Sequence, residues 1–423
     1  MTRQRVNLFV VYFAMSLALS QWYYAADLYG ARFTVIPKVF TSLFFLSLLA
    51  LFRQLAVRSI SLDSPRARLL LFVVGFYVFV TLASVAYTFS FSGWGPDVLE
   101  GVKLVCGLMA GVSLFSQLKN RNHSIVTFFL VILTISIVFG VVQAIEQPDF
   151  FTEEAFFTYG ATNRWWELSA IWGPFSFSGK NVFGLCIVYP LAILLPLLSS
   201  PYLSRYRANF IWSLYFLAVP VLFLSQSRTS FILFFVISAN TYFQNRTYIK
   251  SKLSNVSITL FSIVGVLYFF ISIFPTWISR SQNEQTRYAA LRLAFNSEKT
   301  NWVFGSGFNS VYSVTAPSNA TFTPNVAANE GSVVDVYFIR RWIETGLIGE
   351  LSFLILILTL LLYSRHRIRA LAVIENSVSW RQIASRNLAF VIVISSGSGD
   401  FLSFQIIAVL FTVCLSAIIF GVD

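Results

Sequence analysis

Long apolar runs, one after another, constrain this chain more than any other feature of its sequence. Most have about 18–22 residues, the length that a helix needs to cross a hydrocarbon core of about 30 Å. Hydrophobic residues make up 57% of the sequence and charged residues only 11%, whereas soluble domains average about 25% charged residues. We therefore predict an all-α polytopic membrane protein that forms a single integral membrane domain over residues 1–423.

The apolar runs predict about twelve transmembrane helices. They lie at about 6–24, 33–52, 69–89, 98–117, 124–143, 181–199, 209–226, 229–243, 254–274, 343–363, 387–401 and 403–420. Ser395-Ser-Gly-Ser-Gly-Asp400 interrupts the eleventh run. Such an interruption is typical of a broken or re-entrant helix.

The distribution of charge predicts the orientation of these spans. With a cytoplasmic N-terminus, 18 of the 30 lysines and arginines fall in cytoplasmic segments, but only 3 of the 18 acidic residues do. Cytoplasmic loops of membrane proteins carry this excess of basic residues. Both termini are therefore predicted to be cytoplasmic.

The polar interval between the ninth and tenth runs is unusually long for a membrane protein. Residues 275–342 are predicted to form a large external loop that carries part of the functional site. Arg280, Glu284 and Arg287 are spaced to share one helix face. External arginines oppose the orientation rule, and an anionic ligand at the outer membrane face would explain them. Pairing with external acids or with outer-leaflet phosphates is the alternative.

Two further residues at the predicted outer face are candidates for anion binding and proton transfer. Arg228 lies between two apolar segments, where a guanidinium must snorkel, pair or hold an anion; its planar fork suits a phosphate. Asp335 opens the segment that leads into the tenth span. Its carboxylate could accept a proton from an attacking hydroxyl, or it could simply stabilise the start of a helix.

The sequence predicts neither a metal site nor a cofactor. Both histidines, His123 and His366, fall in predicted cytoplasmic loops, and the three cysteines lie within apolar runs. Patterns typical of nucleotide binding are absent. Nucleic acid is not a predicted partner.

Four short motifs occur in one order, all on the predicted outer side. They are Gly-Pro-Phe-Ser-Phe-Ser-Gly-Lys-Asn-Val-Phe-Gly at 173–184, Ser-Gln-Ser-Arg-Thr-Ser at 225–230, Gln-Thr-Arg-Tyr at 285–288 with Val-Phe-Gly-Ser-Gly-Phe at 303–308, and the segment 335–349. This order resembles the O-antigen ligase/Wzy-type polymerase superfamily of bacterial inner-membrane glycosyltransferases. The resemblance covers about residues 170–365.

The resemblance implies an activity, a substrate and a location. Members of this superfamily transfer a glycan from an undecaprenyl-pyrophosphate carrier to an acceptor hydroxyl at the periplasmic face, without nucleotide sugars. Arg228 and Arg287 match the family's functional arginines, which would stabilise the pyrophosphate leaving group. The implied partners are the lipid-linked glycan, membrane lipids and a chain-length regulator.

Together these patterns predict three groups of site residues. The catalytic group is Asp335, Glu344 and Arg287; the pyrophosphate-binding group is Arg228, Arg287, Arg280 and Arg341; the glycan or loop contacts are Lys180, Asn181 and Glu284.

One departure from the family separates its two activities. Ligases carry a His-Asn pair where this chain has Asp335-Val336, and polymerases often have an acid there. The missing histidine favours a polymerase that joins repeat units. Lys180 stands where the family often has proline, so the role of the Asn181 region is less defined. A ligase that uses lipid A-core as acceptor, and a transporter of polysaccharide or lipid, are the alternatives.

Overall fold

A computed structural model describes ten segments of the chain, and every structural statement below refers to them. They are residues 3–19, 65–92, 121–146, 179–198, 203–225, 227–244, 301–306, 337–371, 379–398 and 405–420. The predicted spans at 33–52, 98–117 and 254–274 lie outside these residues. So does the predicted external loop 275–342, apart from 301–306 and 337–342.

The described segments form nine helices and one turn, which confirms the all-α prediction for this part of the chain. The helices are α1 (Arg3–Leu19), α2 (Pro65–Ser92), α3 (Arg121–Glu146), α4 (Gly179–Leu197), α5 (Arg205–Leu224), α6 (Arg228–Gln244), α7 (Tyr337–Leu371), α8 (Trp380–Ser398) and α9 (Gln405–Phe420). Each overlaps one predicted span. Three are long and apolar enough to cross a membrane, over Asn122–Ile145, Arg205–Leu224 and Arg341–Ser364. The total of twelve spans stays a prediction.

Helix α8 differs from its predicted span at its start and at the first part of the predicted interruption. It begins at Trp380 and not near 387, and it continues without interruption through Ser395 and Ser396 to Ser398. The hydroxyls of these two serines donate to the carbonyls of Val391 and Ile392, one turn earlier. Because each hydroxyl finds its partner inside the helix, the polar segment does not break it at these positions.

Contacts between α3, α4 and α5 establish the directions of these helices. His123 Nε2 and Arg207 Nη2, at the starts of α3 and α5, are 2.8 Å apart. A Cβ on Gly140, late in α3, would lie 2.8 Å from Val221, late in α5, and 2.9 Å from Phe183, early in α4. Helices α3 and α5 therefore run in the same direction, and α4 runs in the opposite direction beside them.

Helix α8 joins the late parts of three other helices. The amide Nδ2 of Asn387 donates to the carbonyl of Ala192 in α4 at 3.3 Å and to the hydroxyl of Thr241 in α6 at 3.0 Å. The hydroxyl of Ser385 donates to the carbonyl of Leu360 in α7 at 2.8 Å. Residues in the first half of α8 thus contact residues late in α4, α6 and α7. These three helices begin at one end of the bundle, which we call the site end.

The buried amide of Asn387 gives a test of this packing. Asn240 Nδ2 donates to Asn387 Oδ1 at 2.7 Å, so the Asn387→Leu substitution deprives groups on α4 and α6 of a partner. We expect the free energy of unfolding to fall by about 1–2 kcal/mol, because interhelical hydrogen bonds in membrane proteins contribute on this order. Denaturant titration in mixed micelles measures it. Val393→Leu, at an exposed position of the same helix, should stay within about 0.5 kcal/mol; equal effects of the two would contradict the packing.

Candidate functional site: a broken helix and the turn docked on it

Helix α7 is broken at Gly346. This residue has φ 63° and ψ −167°, whereas its neighbours on both sides are helical. Such backbone angles are almost confined to glycine, because a Cβ clashes with the adjacent carbonyl. The break divides α7 into a first half, 337–345, and a second half, 347–371. It lies inside the motif Glu344-Thr-Gly-Leu-Ile-Gly349.

The turn formed by residues 301–306 supplies hydrogen-bond partners at the break. The amides of Leu347 and Ile348 donate to the carbonyls of Trp302 and Val303, at 2.9 and 3.3 Å. In return, the amide of Ser306 donates to the carbonyl of Ile343 at 2.8 Å. Backbone groups that a break leaves unpaired in an apolar helix need partners of this kind, because an apolar surrounding offers none. The docked turn therefore allows the break to exist.

The turn is held by its own side chains. Asn301 Oδ1 accepts hydrogen bonds from the amides of Val303 and Phe304, each at 3.1 Å. The amide of Gly305 donates to the carbonyl of Asn301 at 2.7 Å. Hydrogen bonds within the turn thus define its shape. The rings of Trp302 and Trp342 meet edge to face, with their centroids 5.7 Å apart, and pack the turn against α7.

Both partners in this docking need glycine. Gly305 has φ 81°, and a Cβ on it would collide with the backbone of Glu344 and lie 2.6 Å from the amide nitrogen of Gly346. A Cβ on Gly346 would collide with the backbones of Gly305 and Val303. The two glycines therefore permit a direct approach of one backbone to the other, which brings the motif at 303–308 onto the motif at 335–349.

Glu344, a predicted catalytic residue, lies in the last turn before the break. It is 5% exposed. Its backbone carbonyl accepts a hydrogen bond of 2.9 Å from the hydroxyl of Ser84 in α2. Two neighbouring elements therefore hold its backbone in place: α2 through Ser84 and the docked turn through Gly305. This places a predicted proton acceptor on a rigid support.

Arg341, predicted to bind pyrophosphate, is 3% exposed. Its guanidinium donates from Nη1 to the hydroxyl of Tyr77 at 2.8 Å, from Nη2 to the hydroxyl of Thr81 at 3.5 Å, and from Nε to the carbonyl of Gly349 at 3.3 Å. It also lies over the Tyr77 ring, 4.2 Å from the ring centroid. These partners are groups of the protein itself, and a role toward pyrophosphate stays a prediction.

A second close approach joins the other two motifs. A Cβ on Gly184 in α4 would lie 2.5 Å from Ser230 Cβ and 3.1 Å from Ser227 Oγ. The Ser227 hydroxyl donates to that of Ser230 at 2.8 Å. The lack of a side chain at Gly184 therefore lets α4 contact the start of α6. The motif at 173–184 meets the motif at 225–230, at the site end of the bundle.

This contact places the backbones of three predicted residues. Lys180 and Asn181 lie in the first turn of α4, and Arg228 is the first residue of α6. Their side chains lie outside the described part of the chain. Asp335, Arg280, Glu284 and Arg287 lie outside it altogether, so their roles stay predictions.

Sequence reasoning missed the contribution of α2. Tyr77, Thr81 and Ser84 present three hydroxyls to the first half of α7. Their spacing of four and three residues was a usable signal, since it puts all three on one face of a helix. The sequence pattern alone does not single out these three residues, because the run around them otherwise has the hydropathy of an ordinary transmembrane helix.

The described residues contain no cluster of three or more histidine, cysteine or acidic side chains that could hold a metal ion. A scan against protein-family models finds no match for the chain, and a search of curated proteins finds none either.

The Gly346→Ala substitution tests the break. The added methyl group must adopt a backbone conformation that alanine avoids and must displace the docked turn. We expect a loss of about 3 kcal/mol or more in the free energy of unfolding, measured by denaturant titration in mixed micelles.

Gly75→Ala is the matched control. Gly75 lies in α2, and a Cβ there meets nothing within 4 Å. Because alanine favours a helix over glycine, this variant should gain up to about 1 kcal/mol. Equal stability of the two variants would show that Gly346 is not constrained as described.

Proposed function

We propose that this chain is a metal-independent, lipid-pyrophosphate-dependent glycosyltransferase of the Wzy polymerase type. It would join undecaprenyl-pyrophosphate-linked oligosaccharide repeat units into O-antigen or a related surface polysaccharide. The reaction would take place at the periplasmic face of the bacterial inner membrane. The proposal rests on the resemblance of the four motifs, and the geometry of those motifs supports it.

The supporting observation is that the motifs meet in pairs at one end of the bundle. Gly184 contacts Ser227 and Ser230, which joins the first motif to the second. Gly305 contacts Gly346, which joins the third motif to the fourth. The helices that carry these contacts, α4, α6 and α7, all begin at the site end. This arrangement is consistent with a site built from several motifs.

The electrostatic roles follow from the chemistry of the leaving group. When the bond between the anomeric carbon and the pyrophosphate oxygen breaks, the electron pair and a negative charge pass to the pyrophosphate. Arginine side chains suit this developing charge, because their planar fork can donate two hydrogen bonds to phosphate oxygens. We assign this role to Arg228 and Arg287, with Arg280 nearby in sequence. Arg228 begins a helix, so the positive end of its dipole adds to the same effect.

The acceptor needs a group that takes its proton. The acceptor hydroxyl oxygen would attack the anomeric carbon opposite to the leaving pyrophosphate, which inverts the configuration there. Its proton would pass to a carboxylate, either Asp335 or Glu344. Glu344 is buried beside the helix break, so a proton acceptor there would be held firmly. Lys180, Asn181 and Glu284 are assigned to contacts with the glycan or the loop. The lipid-linked product of each step remains the substrate of the next.

Transport of a polysaccharide or lipid is the second candidate function, and one observation favours it. Transporters commonly bind their substrates at helices broken within the membrane, as α7 is broken at Gly346. A ligase would share the chemistry proposed here and differ only in its acceptor, lipid A-core. Loss of a polymerase leaves single repeat units attached to the core, whereas loss of a ligase leaves none.

Elongation by the purified protein tests the proposal. Wild-type protein in detergent, given an undecaprenyl-pyrophosphate-linked repeat unit, should produce longer lipid-linked chains without added metal or nucleotide. Arg228→Ala, Arg287→Ala, Asp335→Asn and Glu344→Gln should be compared at matched protein concentration. Loss of an arginine that stabilises the leaving group should lower kcat by about 100-fold or more.

Arg205→Ala provides the control for loss of one positive charge. Arg205 is exposed at the start of α5, at the end of the bundle opposite the site end, and its replacement should leave elongation unchanged. Absence of elongation by folded wild-type protein, or full activity in all four site variants, would contradict the proposal.

A further inference from the structure

Arg341 is a buried cation at the first residue of the apolar helix segment Arg341–Ser364. A charged side chain buried in a protein costs several kcal/mol unless it is paired or hydrogen-bonded. Its Nε, Nη1 and Nη2 atoms all donate to protein groups. A guanidinium whose three nitrogens donate to protein groups connects the elements that carry those groups.

The hydrogen bonds of Arg341 connect three structural parts. Arg341 itself belongs to the first half of α7. The carbonyl of Gly349 belongs to the second half, beyond the break at Gly346. The hydroxyls of Tyr77 and Thr81 belong to α2. One side chain therefore connects the two halves of a broken helix to each other and to a neighbouring helix.

The charge of the guanidinium has a counterpart in the second half of α7. Glu350 interacts electrostatically with Arg341, and its Oε2 atom is buried without a hydrogen-bond partner among the described residues. Glu350 therefore adds an acidic group near the guanidinium on the far side of the break, but the hydrogen bonds of Arg341 are what connect the two halves.

Arg341 also belongs to the same helical turn as Glu344. Both lie in the first half of α7, and the hydroxyl of Thr345 donates to the Arg341 carbonyl at 2.8 Å. A movement of this half relative to α2 would move the Glu344 backbone with it. The Ser84 hydroxyl, which donates to the Glu344 carbonyl, continues the same set of contacts along α2.

We propose that Arg341 is a positioning residue: with Tyr77, Thr81 and Gly349 it locks the two halves of α7 against α2, and so holds Glu344 in place beside the docked turn. The effect of this lock on catalysis rests on the proposed glycosyl transfer. The hydrogen bonds that form the lock do not depend on that proposal. Lysine cannot replace Arg341, since a single ammonium group cannot reproduce the three separated donors of a guanidinium.

The two tryptophans at the break report the lock directly. Trp342 follows Arg341 in the chain, and Trp302 lies in the docked turn, with the two rings in contact. In protein labelled with 5-fluorotryptophan, Trp302→Phe and Trp342→Phe assign the two ¹⁹F resonances. We expect Arg341→Met and Arg341→Lys to shift or broaden both resonances. Tyr77→Phe combined with Thr81→Val should do the same to a smaller extent while leaving the arginine in place.

Arg381→Met is the matched control. Arg381 is a second buried arginine, 7% exposed, whose Nε and Nη2 donate to the carbonyls of Ile418 and Ile419 at the end of α9. It lies in the first turn of α8, away from the site end. Its loss should lower stability but leave the Trp302 and Trp342 resonances where they are. This separates a general loss of packing from a specific movement at the break.

The kinetic expectation distinguishes positioning from substrate binding. Arg341→Lys should lower kcat for elongation by about 10-fold or more, since small displacements of catalytic groups have large effects, with KM changed less than about 3-fold. Unmoved ¹⁹F resonances in Arg341→Lys and in the Tyr77→Phe/Thr81→Val variant would overturn the lock. A raised KM with unchanged kcat would instead assign Arg341 to substrate binding. If wild-type protein does not elongate glycans, the proposed function fails while the resonances still decide on the lock.

Discussion

The backbone of a membrane helix must find hydrogen-bond partners within the protein, and the break at Gly346 shows how this chain meets that requirement. Interrupting α7 leaves amides and carbonyls that the helix can no longer pair by itself. The turn 301–306 takes them up, with bonds in both directions between it and α7. The approach of the two backbones depends on glycine at 305 and 346. Without this docking, a break inside an apolar segment would be too costly to persist.

Hydrogen bonds within the protein also surround both buried arginines of the described bundle. Arg381 donates to the carbonyls of Ile418 and Ile419 at the end of α9, where a helix leaves its last carbonyls without intrahelical partners. Arg341 donates to the carbonyl of Gly349 beside the break and to the hydroxyls of Tyr77 and Thr81. The cost of burying a charge is offset by hydrogen bonds that no apolar side chain could make.

The positions of most helices could be predicted because hydropathy alone determines them. The start of α8 could not, because Arg381 and Arg386 made its first turns look like a loop. In the folded chain, Arg381 is buried against the end of α9, a partner that hydropathy does not consider. The continuation of α8 through Ser395 was missed for a related reason: serine hydroxyls can bond within their own helix.

For the candidate site, sequence reasoning identified the motifs but not their contacts. Four motifs were predicted to lie on one side, and the helix directions bring the described parts of them to one end of the bundle. The docking of 301–306 onto Gly346 could not be predicted, because it joins backbones and leaves no side-chain pattern. The hydroxyl face of α2 was readable but looked like ordinary membrane helix. Arg341 was predicted to bind pyrophosphate, which stays a prediction; its hydrogen bonds to Tyr77, Thr81 and Gly349 could not be read from the sequence.

Hydrogen exchange at the break tests the central feature of this architecture most directly. The amides of Gly305, Ser306, Leu347 and Ile348 all donate to backbone carbonyls in the docked arrangement. Exchange should therefore be slow at all four amides, with the turn and the start of the second half of α7 opening together. Exchange of Gly305 and Ser306 at the rate of a free peptide, while the amides of α7 stay protected, would contradict the docking and with it the proposed site.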